Sequence, residues 1–134
     1  MISVDTNVLI RAFLADDPKQ TPVAQMLLEK CANGKKLFIS SYALLEMVWV
    51  LKVKKYSRSE ICEALLDLLD SPGIVIGQRA VITTAVESFI KGKADFGDYM
   101  IMAEGNANGC HKFATFDQAL LVETSLAKEP GDYL

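Results

Sequence analysis

The sequence predicts an α/β fold, a three-layer α/β/α sandwich built around a central, mostly parallel sheet. Short apolar segments have the length and composition of strands, and they cover residues 2–4, 37–39, 74–76 and 112–117. Segments with the apolar periodicity of helices alternate with these strands along the chain. Strands that alternate with helices pair in parallel through crossover connections, so this order favours a parallel sheet with helices on both faces.

Length and composition indicate one globular domain over residues 1–134. Of these residues, 51% are hydrophobic and 23% are charged. No apolar run approaches the ~20 residues that span a bilayer, and the N-terminus lacks the pattern of a signal peptide. The three cysteines, Cys31, Cys62 and Cys110, are widely spaced among apolar residues, so we expect reduced core thiols in a cytoplasmic protein.

The net charge of −3 does not exclude a polyanionic partner. Five of the 17 acidic residues are candidate site residues, and they are Asp5, Glu46, Asp95, Asp98 and Asp117. The other 12 acidic residues are outnumbered by 14 lysines and arginines. The rest of the surface is therefore expected to be mildly basic, and divalent cations would offset the acidic site.

Asp5 is the first candidate site residue, because it lies between a strand expected to be buried and a helix expected to begin directly after it. Thr6 and Asn7 are its polar neighbours. Ligands of open α/β sheets bind beyond the carboxyl ends of the strands, which favours a functional role. The alternative is that Asp5 or Thr6 only caps the helix. Asp5 by itself favours neither interpretation.

Glu46 is the most informative acid, because every other residue between Tyr42 and Leu51 is apolar. This pattern predicts a helix that is buried on all sides. A buried lone carboxylate is costly unless it is paired or holds a metal, so we expect Glu46 to be a site residue. The alternative is an exposed Glu46 on a narrow stripe that faces solvent.

Basic and capping residues follow this helix. The basic patch either interacts with the helix C-terminus or attracts phosphates, and it consists of Lys52, Lys54, Lys55 and Arg58. Ser57 and Glu60 have the spacing of a capping box for the next helix, which ends at Ser71-Pro72-Gly73.

Three further acids occur at predicted helix starts. Asp95 and Asp98 have the spacing of an N-cap and its N3 partner. We expect Asp98 to face inward as a site residue, provided that Ile101, Met102 and Gly105 also face inward, and Asp95 to be a cap or an outer acid. Asp117 lies where the fourth strand meets a short helix.

The economical interpretation is that four acids converge at the carboxyl ends of the strands: Asp5, Glu46, Asp98 and Asp117. Four nearby carboxylates cannot all stay ionised without a cation between them. Oxygen ligands without His or Cys select Mg²⁺ or Mn²⁺, and one or two such ions could polarise a phosphodiester and generate hydroxide.

These motifs resemble the PIN-domain family, and most closely its VapC-type toxins of bacterial and archaeal toxin–antitoxin pairs. The resemblance spans residues 2 to about 122 and is carried by Val4-Asp5-Thr6-Asn7, the Glu46 helix, residues 94–98 with 101–103, and Ala114-Thr115-Phe116-Asp117. It implies a PIN-like fold and a Mg²⁺- or Mn²⁺-dependent endoribonuclease that hydrolyses RNA phosphodiesters. It also implies a homodimer that a cognate antitoxin protein holds inactive.

The resemblance assigns the catalytic and metal-binding roles to Asp5, Glu46, Asp98 and Asp117. It assigns supporting roles to Thr6, Asn7, Asp95 and Thr115. The sequence departs from the family pattern at Tyr99 and Met100, where small residues usually surround the acid. The alternative is a catalytically inactive PIN-fold module that binds nucleic acid or a protein partner, and the four intact acids count against it.

Overall fold

The computed structural model describes all residues 1–134, which form two compact units, Met1–Arg79 and Ala80–Leu134. The elements of the first unit are β1 (Ile2–Val4), α1 (Thr6–Leu14), α2 (Gln20–Ala32), β2 (Leu37–Ile39), α3 (Ser41–Val53), α4 (Arg58–Asp70) and β3 (Ile74–Ile76). Those that follow are α5 (Arg79–Lys91), α6 (Phe96–Ala107), β4 (Phe113–Ala114), α7 (Gln118–Glu123), β5 (Ala127–Lys128) and a 3₁₀ helix (Pro130–Tyr133).

The first unit contains a three-stranded parallel sheet in the order β1-β2-β3. Val4 pairs with Ile39, and Ile39 pairs with Ile76, so the carboxyl ends of the three strands lie at one edge. Parallel strands joined through helices confirm the predicted α/β class. Leu37 and Ile39 of the central strand are fully buried, whereas Ile2 on the edge strand β1 is 40% exposed. The prediction of a buried first strand was therefore wrong, because β1 has only one partner strand.

The core of the first unit lies between its helices and the sheet. Helix α1 packs against α2 and α3, and α3 packs against α4. Apolar residues at helical spacing provide the buried faces, and the most deeply buried include Leu9, Ile10, Leu44, Met47, Leu51 and Leu65. The amphipathic periodicity thus predicted where these helices lie in the sequence, and each helix buries one apolar face.

Helix α3 is not buried on all sides, which corrects the prediction for this segment. Its inner face is buried through Leu44, Met47 and Leu51, but Tyr42 is 76% and Trp49 is 64% exposed. The exposed residues recur at intervals of three or four and form one face of the helix. Apolar content alone did not reveal this face, because an apolar side chain is exposed wherever no other element covers it.

The second unit contains a short parallel pair, β4-β5, in which Phe113 pairs with Ala127. Strand β5 was not predicted, because two residues carry no periodicity that separates a strand from a loop. The ring of Phe89 on α5 contacts the rings of Phe96 and Tyr99 on α6, with centroids 5.6 and 6.5 Å apart. These edge-on contacts fix the first turn of α6 against α5.

All three cysteines are free thiols. Cys31 is buried and Cys62 is half-buried, but Cys110 is exposed, so the prediction that all three belong to the core was wrong for Cys110. Burial raises the pKa of the Cys62 thiol. None of the helices combines the length and the apolar character that crossing a lipid bilayer requires.

The predicted capping box at the start of α4 is present. Ser57 Oγ accepts a hydrogen bond from the Glu60 N–H (3.1 Å), and Glu60 Oε1 accepts one from the Ser57 N–H (3.0 Å). We expect Ser57→Ala to lower the free energy of unfolding by about 1 kcal/mol at neutral pH, the usual cost of losing a serine cap. Urea unfolding measures this loss, with Ser59→Ala in the same turn as the control.

The effect of Ser57→Ala should shrink in acid. Hydrogen bonds with the Ser57 backbone N–H and, to a smaller extent, with the Ser57 side chain hold the pKa of the Glu60 carboxyl below its ordinary value. Alanine keeps the first of these bonds and loses the second. A carboxylate with a lowered folded-state pKa stabilises the protein above its unfolded-state pKa, and this stabilisation is lost as the pH falls through the folded-state pKa. Repeating the urea unfolding at about pH 3 should therefore give a smaller difference between wild type and variant. An undiminished difference would contradict the coupling between the Ser57 and Glu60 side chains.

Candidate functional site

Asp5 lies at the N-cap of α1, at the carboxyl end of β1. Its backbone is extended, and Oδ1 accepts a hydrogen bond from the Val8 N–H (3.1 Å). The capping role is therefore real, but it uses one carboxylate oxygen and leaves Oδ2 available. Asp5 and Asn7 are both exposed, so their side chains are accessible to a ligand.

Glu46 is also exposed, so the prediction that it is buried was wrong. Thr6 Oγ1 donates a hydrogen bond to Glu46 Oε2 (2.8 Å), which joins the first turn of α1 to the middle of α3. This contact exists because β1 and β2 are parallel neighbours, so the helices that follow them start from the same sheet edge. The structure thus brings Glu46 to the residue that directly follows Asp5.

An open cleft of about 440 Å³ adjoins Asp5 between α1 and α2. Asp5, Asn7 and Arg11 contribute to its polar lining. Arg11 Nε donates a hydrogen bond to Gln20 Oε1 (2.9 Å), and Arg11 Nη1 forms an ion pair with Asp16 (3.4 Å). Arg11 was not predicted from the sequence, because its local pattern does not differ from that of an ordinary surface arginine. It is the one cation in the lining of this cleft.

The predicted acids of α6 lie in its first turn. Asp95 occupies the N-cap position, but its side chain makes no capping hydrogen bond, so the capping explanation for this residue is not borne out. Asp98 is half-buried at the N3 position. Met102 and Gly105 are half-buried but Ile101 is 62% exposed, so the face expected to accompany Asp98 inward is only partly covered.

Asp117 follows β4 at the N-cap of α7, as the sequence predicted. Its Oδ1 accepts a hydrogen bond from the Leu120 N–H (2.9 Å), and its own N–H donates to Thr115 Oγ1 (3.0 Å). Asp117 and Thr115 are half-buried. Thr115 therefore holds the backbone from which the Asp117 carboxylate projects.

Glu123 at the end of α7 is a further functional candidate, and it was not predicted from the sequence. Its carboxylate accepts hydrogen bonds from the Lys93 N–H and from the Tyr99 hydroxyl, each 2.5 Å long. The Tyr99 hydroxyl in turn accepts one from the Ala94 N–H (3.1 Å). No sequence signal indicates this contact, because Glu123 and Tyr99 are 24 residues apart.

The candidate acids of the first unit offer carboxylate oxygens, because Asp5 and Glu46 form no ion pair with a lysine or arginine. Such oxygens are the ligands that Mg²⁺ and Mn²⁺ prefer. No group of three or more acidic, histidine or cysteine side chains lies close enough together to hold a metal ion in the structure.

The sequence matches the PIN domain family over residues 2–123, which is most of the chain. The chain belongs to the PIN domain family. This confirms the resemblance drawn from the motifs, and the match includes every candidate acid of the site. This PIN domain is similar to a VapC ribonuclease of Aquifex aeolicus (strain VF5), with 23% identity over 114 residues that cover 84% of each chain. No solved structure matches it significantly.

Proposed function

We propose that this PIN domain is a divalent-metal-dependent endoribonuclease that hydrolyses RNA phosphodiesters, and that it is the toxin of a toxin–antitoxin pair. The observation that carries the proposal is the Thr6–Glu46 hydrogen bond, because it brings an exposed carboxylate of α3 to the residue next to Asp5. Membership of the PIN domain family and similarity to a VapC ribonuclease support it.

The catalytic and metal-binding residues in this proposal are Asp5, Glu46, Asp98 and Asp117. One or two Mg²⁺ or Mn²⁺ ions, when bound, supply polarisation of the phosphodiester and a hydroxide nucleophile. The chain's own contribution is orientation: Thr6 holds the Glu46 carboxylate, and Thr115 holds the backbone of Asp117. Asn7 and Asp95 are proposed as further supporting residues. The family match runs through both compact units, which supports a single nuclease domain over residues 1–134.

The partners in this proposal are an RNA substrate, a cognate antitoxin protein and a second copy of the chain, all in the cytoplasm. Exposed lysines at the end of α3 supply positive charge for the RNA backbone, and they are Lys52, Lys54 and Lys55. The exposed apolar face of α3, which includes Tyr42 and Trp49, supplies the kind of surface that protein partners cover. Light scattering of the purified chain would measure the oligomeric state.

Cleavage of RNA by the purified chain tests the function. We expect cleavage in Mn²⁺ or Mg²⁺, its loss on chelation, and a decrease of at least about a hundredfold in Asp5→Asn. Asparagine is as good an N-cap as aspartate, so the circular dichroism of this variant should match wild type. Asp70→Asn, which changes an exposed acid at the end of α4, is the matched control and should cleave normally.

One outcome would replace this proposal with the alternative function. If the wild-type chain binds RNA but cleaves none with any divalent ion, it is a PIN-fold module that binds without catalysis. Activity that survives unchanged in Asp5→Asn would remove Asp5 from the proposed catalytic set.

A further inference from the structure

The turn between α5 and α6 is held by a compact set of hydrogen bonds within the second unit. Glu123 Oε1 accepts from the Lys93 N–H, and Glu123 Oε2 accepts from the Tyr99 hydroxyl. The same hydroxyl accepts from the Ala94 N–H (3.1 Å). Two consecutive backbone amides are thus bound by two side chains that also bind each other. We call this set the Glu123–Tyr99 clamp.

Burial and ring packing fix the Tyr99 side of the clamp, whereas Glu123 is exposed. Tyr99 is 2% exposed, and its ring packs edge-on against Phe89 of α5. Hydrogen bonds that involve an ionised acceptor are roughly twice as strong as neutral ones, and both bonds to Glu123 belong to this class. The clamp therefore joins the end of α7 to the turn and to the first turn of α6.

Gly92 makes the close approach of these side chains possible. A Cβ atom at this position would clash with the Tyr99 hydroxyl and would lie 2.6 and 2.8 Å from the two carboxylate oxygens of Glu123. Any larger residue at position 92 must displace the clamp. The glycine, the tyrosine and the glutamate therefore form one steric unit.

The clamp lies immediately before the acids of α6. Ala94, which it holds through its N–H, is followed directly by Asp95, and Asp98 lies in the same turn as Tyr99. The Asp95 carbonyl accepts from the N–H groups of Asp98 (3.1 Å) and Tyr99 (3.3 Å). Any movement of the turn is thus transmitted to the backbone that carries both acids.

We propose that Glu123 and Tyr99 are positioning residues, which hold the turn at residues 92–94 and thereby orient Asp95 and Asp98 for a divalent cation. This inference rests on the proposed function. It also gives a role to Tyr99, one of the residues that depart from the usual family pattern. Connections between helices are normally among the more mobile parts of a protein, and the clamp removes that freedom where a carboxylate must be placed accurately.

Two substitutions test the clamp: Tyr99→Phe removes the hydroxyl and keeps the ring, and Glu123→Gln removes the charge and keeps the shape. Hydrogen exchange should become about tenfold faster at the Lys93 and Ala94 amides, because each variant weakens the bonds that protect them. Calorimetric titration of the full chain with Mn²⁺ should give an affinity about tenfold weaker than wild type. Catalysis should recover at high Mn²⁺, and circular dichroism in metal-free buffer should match wild type, which separates weaker Mn²⁺ binding from a loss of folded protein.

Matched controls and a third variant separate positioning from stability. Tyr56→Phe and Glu87→Gln make the same two chemical changes at side chains that form no hydrogen bond. Both variants should keep the wild-type rates of hydrogen exchange and the wild-type Mn²⁺ affinity. Gly92→Ala displaces the clamp without removing any hydrogen-bonding group. It should accelerate exchange at Lys93 and Ala94 and weaken Mn²⁺ binding as the other two variants do.

The outcomes distinguish this inference from the proposed function. If wild type binds Mn²⁺ and cleaves RNA, and all three variants match its Mn²⁺ affinity within twofold, the inference is overturned and the function stands. If wild type neither binds Mn²⁺ nor cleaves RNA, the function and the inference both fall. If the Lys93 and Ala94 amides exchange hydrogen at the wild-type rate in Tyr99→Phe, the clamp does not hold these amides and the inference is overturned.

Discussion

Replacing Glu46 by glutamine is expected to lower the rate of metal-dependent RNA cleavage by at least about a hundredfold. Glutamine can still accept the hydrogen bond that Thr6 Oγ1 donates to Oε2, so the orientation of the side chain should survive. What the variant loses is the negative charge, which is the property that a divalent cation requires. Initial rates at a fixed Mn²⁺ concentration, with RNA in excess, measure the effect.

Stability gives an independent reading of Glu46→Gln. Because Glu46 is exposed, we expect the free energy of unfolding of the variant in metal-free buffer to differ from that of wild type by less than about 0.5 kcal/mol. A buried glutamate among other carboxylates would instead predict a clear gain in stability on neutralisation. Glu63→Gln, which changes an exposed glutamate on α4, is the matched control and should leave both rate and stability unchanged. Full cleavage by Glu46→Gln would remove Glu46 from the proposed catalytic set.

Gly73→Ala is expected to destabilise the protein by roughly 3–5 kcal/mol, the largest effect on folding that we predict. Gly73 has φ +76°, a left-handed conformation that disfavours a Cβ atom. A Cβ there would also clash with the Cys31 carbonyl oxygen and lie 2.8 Å from the carbonyl carbon. These are backbone atoms at the end of α2, so no side-chain rotation relieves the clash. The Gly73 carbonyl also accepts a hydrogen bond from the Leu37 N–H (2.8 Å), so a displacement of the Gly73 backbone would disturb β2.

Gly109→Ala is the matched control for this prediction. Gly109 has φ +89°, but no atom lies within 4 Å of the position that a Cβ would occupy, so alanine there carries the conformational strain without the clash. We expect it to cost about 1–2 kcal/mol. The difference between the two variants in urea unfolding isolates the steric contribution. If both variants lose the same free energy of unfolding, the contact between the Gly73 turn and Cys31 is not tight in solution.

Local sequence pattern determined most of the elements and several of their ends. The helix after Asp5, the capping box of Ser57 and Glu60, and the turn at Gly73 are all present as predicted. These features depend on residues within one or two turns of each other, so their physical causes lie within a short window of sequence. The order and spacing of the motifs also indicated the PIN domain family.

Tertiary structure decided what surrounds each candidate residue. Glu46 proved to be exposed and bonded to Thr6, although its apolar neighbours predicted burial. Glu123 gained a role only through its bonds to Lys93 and Tyr99. Composition reports what a segment could bury, whereas exposure and long-range hydrogen bonds depend on which other elements pack against it. For this protein, the sequence therefore determined that Asp5, Asp95 and Asp117 stand at helix starts. The packing of the helices decided which residues bind Glu46 and Glu123.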